Sequence, residues 1–397
     1  MKNRFLTFNY EYFSLLLLGS LCLLVAFSPR LPIADESIYF SNLEWKGSPW
    51  TIAFIKNYHG TAGIVSSWFY FLLPSSLRVN ILYLRWVNVS LFVLSVYLLF
   101  KFLLKRTNPF EIFSVVFIPG TFALFGRAMG DFPPILTCVL FLVGLEYLTH
   151  IESVWRRLLF LVLIALLGAL TIVGKQNLLL VVFTWPILAL LQRRITLLEL
   201  LLLFVLIVPF PLFVFTVWKG LAPANSKVLK LGTLNWSSFE YVLQWFIVSY
   251  FLLVGEVRKM IVSIERQWLL VLLLFLILYL LQGTLIADLQ FDSRIEFIYF
   301  IYHLFLAFTS AYAIFFIYTN LRERSSIKSL AVLGIICMMA FASLNLISVQ
   351  MRYPAAFFGL LLIFIDDKKL DQATPNYWKW FGLLFNIVNL YLIYRSN

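Results

Sequence analysis

The sequence predicts an all-α polytopic membrane protein that forms a single transmembrane domain over residues 1–397. Three observations lead to this fold class. Hydrophobic residues make up 62% of the chain and charged residues only 13%, whereas soluble domains carry about 25% charged residues. Apolar runs long enough to cross a bilayer recur along the chain. Pairs of Lys and Arg separate many of these runs, which is the pattern of the positive-inside rule.

The apolar runs predict about 13 spanning helices, since each crossing needs roughly 20 largely apolar residues. The runs are 12–29, 83–104, 110–126, 132–149, 158–174, 177–192, 197–218, 240–255, 268–286, 296–319, 329–349, 353–365 and 378–394. The first could alternatively be a cleaved signal peptide, although no small-residue cleavage site follows it. Residues 63–74 are apolar but too short to span. We therefore interpret them as an interfacial helix in a long first outer loop, residues 30–80.

Cation pairs set the orientation. With the N-terminus inside, all the tight pairs fall on one side of the membrane. They are Lys105 with Arg106, Arg156 with Arg157, Arg193 with Arg194, Arg258 with Lys259, and Lys368 with Lys369. Counting 63–74 as a span would move the first pair outside and break the alternation. The pattern therefore predicts paired cations on the cytoplasmic side and isolated charges on the outer side.

Composition excludes several classes of function. The net charge is +12, but no basic stripe with interleaved aromatics stands apart from the apolar runs, so nucleic acid is not expected as a partner. The three cysteines lie inside apolar runs, which argues against a disulfide framework or a zinc site. Three histidines are too few for a His-rich metal centre. No Walker A loop, dinucleotide fingerprint, HExxH or GxSxG motif occurs.

Isolated polar residues on the outer side are the candidate functional residues. An ionisable group at membrane depth is costly and is by default a functional hypothesis. The alternative is that each side chain snorkels at a helix end. The candidates are Asp35, Glu36, His59, Arg127, Asp131, Lys175, Gln176, Arg352 and Tyr353.

Each candidate has a chemical and a structural interpretation. Asp35 could act as a general base for an incoming hydroxyl, or it could be a solvated loop acid. Asp131 precedes a Pro-Pro pair and could cap a helix or pair with Arg127 one turn earlier. Lys175 and Arg352 could each meet a phosphate at the outer interface, or anchor a helix end.

An ordered set of motifs resembles the GT-C superfamily, multispanning glycosyltransferases that use polyprenyl-phosphate sugars. DESIYF is similar to the acidic motif of their first loop, and YHGTAGIVSSWFYF is similar in position to the interfacial helix that follows it. The other segments are LRVNILYLRWVNVSLFVLSVYLLF, AMGDFPPILTCVLFL, IVGKQNLLLVVF and MRYPAAFFGLLLIF. Together they resemble the dolichyl-phosphate-glucose glucosyltransferases, and the first loop also resembles the protein-mannosyl and aminoarabinose transferases.

The resemblance implies a GT-C-like fold and inverting transfer of one sugar to an acceptor hydroxyl at the outer or lumenal face. It implies that Asp35 is the base and that Glu36 positions the acceptor or the base. It further implies that Lys175 and Arg352, with Arg127 third, stabilise the leaving phosphate, and that Asp131 holds the acceptor or a cation. His59, Gln176 and Tyr353 are expected to bind substrate.

The partners implied are a polyprenyl-phosphate-sugar donor, a glycan, lipid or protein acceptor, and the lipid bilayer, with no metal and no cofactor. We expect a multi-pass protein of the bacterial inner membrane, although the endoplasmic reticulum is also compatible. Three alternatives remain open. A transporter or flippase of a lipid-linked sugar would show inverted repeats and charges near the midplane. A polysaccharide ligase or polymerase would favour a large late outer loop. A purely structural membrane partner is also compatible.

Overall fold

A computed structural model gives the positions of the residues on which the fold is described. These are residues 25–26, 28–32, 36–60, 64–103, 132–221, 223, 236, 239–240, 242–244, 246–247, 257–286, 293–322, 334–338, 340 and 387–388. Helix makes up 82% of the structure, and no strand occurs among these residues. The predicted all-α class is therefore confirmed.

Contacts divide the described residues into two compact units, with the boundary near residue 226. The first unit contains the described residues up to 223 together with 387–388, and the second contains those from 236 to 340. Contacts alone define this division, so the assignment of 1–397 to one transmembrane domain stays a prediction.

Short helices open the first unit, in the predicted outer loop. They are α1 (Glu36–Ser41), a 3₁₀ turn (Asn42–Glu44), α2 (Ile52–Lys56), α3 (Ile64–Phe71) and α4 (Ser75–Arg78). The eight residues of α3 extend about 12 Å at 1.5 Å per residue. A bilayer core is about 30 Å thick, so α3 is too short to cross it. The prediction of a short, non-spanning helix at 63–74 agrees with this length.

Longer helices follow in the first unit. They are α5 (Ile81–Leu98, continued by a π turn at Leu99–Leu103), α6 (Phe132–Leu148), α7 (Val154–Gly174), a 3₁₀ turn (Gln176–Leu178), α8 (Leu179–Leu191), α9 (Leu197–Ile207) and α10 (Pro209–Trp218). Two stretches are long and apolar enough to cross a membrane. They are Val154–Gly174 and Leu197–Trp218, the second formed by α9 and α10 together.

Five shorter apolar helices coincide with further predicted runs. They are Ile81–Ser95, Phe132–Leu148, Leu179–Leu191, Gln267–Leu281 and His303–Thr319. The runs predicted at 12–29, 110–126, 240–255, 329–349, 353–365 and 378–394 lie wholly or largely outside the described residues. The number of thirteen spans therefore stays a prediction.

Helices α6 and α7 are antiparallel and approach each other closely. The Thr171 hydroxyl lies 2.9 Å from the Thr137 hydroxyl across the pair. A Cβ added to Gly144 would lie 2.9 Å from Ile164 Cγ1. Small residues and hydrogen bonds between hydroxyl groups are typical of contacts between helices in an apolar environment.

Ion pairs join two turns at one end of the first unit. Arg157, at the start of α7, pairs with Glu199 in the first turn of α9. Arg194, after α8, pairs with Glu146 in the last turn of α6. Thr196 and Glu199 also form a reciprocal capping box that starts α9. These pairs explain why α7 begins at Val154 rather than at the predicted residue 158, because the arginines extend the helix beyond its apolar part.

Gly174, the last residue of α7, marks the tightest helix contact. A Cβ at this position would lie 2.6 Å from Pro134 Cγ and 3.1 Å from Val65 Cβ. Gly174→Ala is expected to destabilise the protein by about 1–3 kcal/mol, the usual cost of overpacking, and to lower the melting temperature in detergent. The control is Gly334→Ala, since Gly334 has no heavy atom within 4 Å of its added Cβ. If both variants melted at the wild-type temperature, the close packing of Gly174 against Pro134 would be refuted.

The second unit contains α11 (Val257–Ile286) and α12 (Ser293–Arg322), which pack together. The backbone of α11 leaves helical geometry at Gln267. The predicted apolar run begins at Trp268, immediately after that break. The Ser310 hydroxyl of α12 donates to the backbone carbonyl of Glu240 at 2.9 Å. This bond ties α12 to the short helical pieces before α11.

Candidate functional site

One end of the first unit brings together short helices of the outer loop and the ends of long helices. Val173, near the end of α7, and Trp218, at the end of α10, belong to one buried cluster with Ile55, Tyr58 and residues of α3. The Trp218 indole donates to the Ile55 carbonyl at 2.8 Å. Its ring stacks on Tyr58 with centroids 6.4 Å apart. This is the end opposite to the arginine ion pairs of α7 and α9, because α7 runs from one end to the other.

Lys175 lies at this end, directly after Gly174. The polar sequence Lys-Gln-Asn interrupts two apolar helices, and the backbone of Lys175 is extended (φ −151°, ψ 99°) between α7 and the following 3₁₀ turn. Its side chain is buried, with 8% exposed, and Gln176 is half-buried. The close contact of Gly174 with Pro134 and Val65 places Lys175 beside the first turns of α6 and α3.

Glu36 forms a buried ion pair with Arg85, and both side chains are completely inaccessible to solvent. Arg85 Nε donates to Glu36 Oε1 at 2.9 Å, and Arg85 Nη2 donates to Oε2 at 2.5 Å. This bidentate geometry is the strongest form of an arginine–carboxylate interaction. Both oxygens of Glu36 thus accept hydrogen bonds from Arg85, and the positioning role expected of Glu36 stays a prediction.

His59 lies in the loop before α3, and its side chain is exposed. Its backbone is held by Asn42: the His59 amide donates to Asn42 Oδ1 at 2.9 Å, and Asn42 Nδ2 donates to the His59 carbonyl at 2.8 Å. The neighbouring Tyr58 is buried, and burial raises the pKa of its hydroxyl well above the ordinary value. Tyr58 is thus a neutral phenol at physiological pH, while the His59 ring faces solvent at the site.

A second polar contact joins α3 to α5. The Tyr70 hydroxyl donates to Asn88 Oδ1 at 2.7 Å, and Asn88 is fully buried. Arg85 and Asn88 are three residues apart and therefore lie on one face of α5. That face binds α1 through Glu36 and α3 through Tyr70.

Sequence reasoning missed Arg85, Asn88 and Asn42 as residues that organise the site. A signal was present for the first two, because an arginine inside an apolar run is costly and needs a partner. The segment LRWVN places a cation and an amide on one helical face within the run 83–104. For Asn42 no comparable signal exists, since asparagines are ordinary in loops.

Five predicted site residues, Asp35, Arg127, Asp131, Arg352 and Tyr353, lie outside the described residues. In sequence, Asp35 precedes Glu36, and Asp131 precedes Phe132, the first residue of α6. The structure gathers the other four predicted residues, Glu36, His59, Lys175 and Gln176, at one end of the first unit.

The site combines a buried cation, an exposed imidazole and amide groups at a helix break. Such groups can bind an anion such as a phosphate. No group of three or more His, Cys, Asp or Glu side chains that could hold a metal occurs in the described ranges. The expectation of metal-free chemistry stays a prediction. No family model, curated protein or solved structure matches the chain.

Proposed function

We propose that the protein is a membrane glycosyltransferase that transfers one sugar from a polyprenyl-phosphate donor to an acceptor hydroxyl, with inversion at the anomeric carbon. The observation that carries the proposal is the gathering of Glu36, His59, Lys175 and Gln176 at one end of the first unit. The GT-C-like motif order supports the same reaction, and we place the site on the outer or lumenal face.

Exposed apolar faces support a bilayer around the first unit. In Leu197–Trp218 only 28% of the apolar window is buried, whereas the core helix of a soluble protein is mostly buried. The exposed large hydrophobic side chains of α7 and α9 are aliphatic or Trp and lie at helical spacing. They include Trp155, Leu159, Val162, Leu163, Leu166, Leu198, Leu201 and Val205. A soluble monomer rarely exposes such continuous apolar surface.

Cysteine labelling from each side of the membrane tests this arrangement. In a protein whose native cysteines are replaced, a cysteine at Ser48 is expected to react with an impermeant maleimide added outside. A cysteine at Glu152, in the turn before α7, is expected to react only after the membrane is opened. Both positions are exposed. Labelling of both cysteines from the same side would contradict a spanning α6 and the assignment of the site to the outer face.

The mechanism follows from the chemistry of a phosphate leaving group. The acceptor oxygen attacks the anomeric carbon while Asp35 takes the hydroxyl proton as general base. The bond from the anomeric carbon to the phosphate oxygen breaks, and its electron pair leaves with the polyprenyl phosphate. Cations fixed at the site stabilise the negative charge that grows on that oxygen. We assign this role to Lys175, with Arg352 and Arg127 as further candidates.

The distribution of charge favours an enzyme over a transporter. In α6, α7, α8 and the α9–α10 stretch, every Asp, Glu, Lys and Arg lies in a terminal turn. A transporter places ionisable groups and broken helices near the midplane. These helices instead carry their ionisable groups at two ends. Helix α5 differs, because it carries the buried Arg85 in its second turn, where Arg85 is paired with Glu36.

A donor assay on the purified protein tests the proposal. The assay presents short-chain polyprenyl-phosphate sugars in detergent, with a mixture of acceptor sugars and lipids, and measures release of polyprenyl phosphate. Release from one donor, dependent on an acceptor, is the expected result and identifies the sugar. Binding of donors without release from any of them would overturn the proposal and favour a transporter of lipid-linked sugars.

A further inference from the structure

We propose that Arg85 is a positioning residue for Asp35, because it binds Ser28, Pro29 and Leu31 before Asp35 in the sequence and Glu36 directly after it. The inference rests on the proposed function, in which Asp35 takes the proton of the acceptor. Arg85 belongs to α5, 49 residues away from Glu36 in sequence. It therefore fixes the segment through tertiary contacts rather than through local chain geometry.

The guanidinium of Arg85 donates five hydrogen bonds to residues of the segment 28–36. Nε and Nη2 bind the two oxygens of Glu36. Nη1 donates to Ser28 Oγ at 2.8 Å and to the Pro29 carbonyl at 2.5 Å, and Nη2 also donates to the Leu31 carbonyl at 3.2 Å. A guanidinium has five N–H donors, so the hydrogen bonds to this segment equal the number of donors of the group.

The geometry restrains the chain on both sides of Asp35. Leu31 precedes it and Glu36 follows it, and both bind the same nitrogen, Nη2. Attachment of both flanking residues to one nitrogen is the observation on which we assign the positioning of Asp35 to Arg85.

Arg85 belongs to a well-packed part of the first unit. Arg85 is completely buried, and Asn88, on the same face of α5, is held by the Tyr70 hydroxyl of α3. Packing thus fixes the helix from which the guanidinium projects. A lysine at position 85 is not expected to form these contacts, because its three donors share one nitrogen. The planar guanidinium carries five donors on three nitrogens and can donate to several acceptors at once.

Paired neutral variants separate positioning from stability. Arg85→Gln alone leaves the Glu36 carboxylate buried without its cation, and Glu36→Gln alone leaves the guanidinium without its carboxylate. Each single variant is therefore expected to melt at a lower temperature than wild type. The double variant Arg85→Gln with Glu36→Gln removes both charges and is expected to recover much of the lost melting temperature. Its kcat is nevertheless expected to stay about 10²-fold below wild type, as for a misplacement of about 1 Å, with little change in donor KM.

The matched control is Arg78→Gln in α4. Arg78 lies in the same loop, and its guanidinium stacks over the Phe71 ring at 4.8 Å rather than binding residues 28–36. The kcat of the Arg78→Gln variant is expected to equal that of wild type. Recovery of kcat together with melting temperature in the double variant would overturn the proposal, because Arg85 would then act only through the stability of the fold.

Hydrogen exchange provides a readout that does not depend on activity. Amides of residues 28–40 are expected to exchange at least about tenfold faster in the double variant than in wild type, since restrained segments open rarely. Amides of α7 are expected to be unchanged. Unchanged exchange in residues 28–40 would overturn the positioning role. If wild type releases no polyprenyl phosphate, the glycosyltransferase proposal fails, while the exchange experiment still decides whether Arg85 fixes the segment.

Discussion

Asp35→Asn is expected to reduce transfer by about 10²–10⁴-fold, the range contributed by a general base. The amide has nearly the shape of the carboxylate but cannot accept the acceptor proton at neutral pH. Asp35 adjoins Glu36, whose carboxylate is held by Arg85, so the neighbouring acid is not positioned to replace it. The measurement is the rate of acceptor-dependent release of polyprenyl phosphate, with donor KM determined alongside.

The matched control for Asp35 is Glu44→Gln. Glu44 is an exposed acid in the same outer loop, within the 3₁₀ turn after α1. The Glu44→Gln variant is expected to turn over at the wild-type rate. Both variants, Asp35→Asn and Glu44→Gln, are expected to melt near the wild-type temperature. Near wild-type turnover in Asp35→Asn would remove Asp35 as the base. Equal losses in both variants would indicate a general charge effect of the loop rather than proton transfer.

The fold class and many of its elements could be predicted from the sequence because hydropathy is a local property. Apolar runs at 132–149, 177–192 and 197–218 correspond to helices within a few residues, since an apolar segment without water must satisfy its backbone hydrogen bonds internally, as a helix does. The short helix at 63–74 could be predicted because length alone excludes a crossing. The start of α7 was less accurate, because its first turn contains Arg156 and Arg157.

The organisation of the site could not be predicted, since it depends on contacts between distant segments. The motif DESIYF indicates two acids, but not that Glu36 is fully buried and forms an ion pair with an arginine from α5. Likewise, the sequence near Lys175 indicates a break in the helix, but not that Gly174 brings it against Pro134 and Val65. Tertiary pairings of this kind require the positions of side chains, which periodicity does not give.

Lys175→Ala is expected to lower kcat/KM for the donor by about 10²–10³-fold, the loss seen when one stabilising contact to a developing anion is removed. Lys175 is buried at the helix break, and a cation shielded from water interacts more strongly with a phosphate than an exposed one does. Since the phosphate is charged in both the bound donor and the transition state, donor KM is expected to rise and kcat to fall. Acceptor KM is expected to change little.

Two comparisons make the Lys175 result specific. Lys175→Arg keeps the charge and is expected to retain more activity than Lys175→Ala, because guanidinium also binds phosphate. Lys56→Ala removes an exposed cation from the end of α2, within the same outer loop, and is expected to act like wild type. An equal loss in Lys56→Ala would point to long-range steering, which salt screens within about 8–10 Å. Unchanged donor kinetics in Lys175→Ala would place the phosphate elsewhere and leave Arg352 and Arg127 as its candidate ligands.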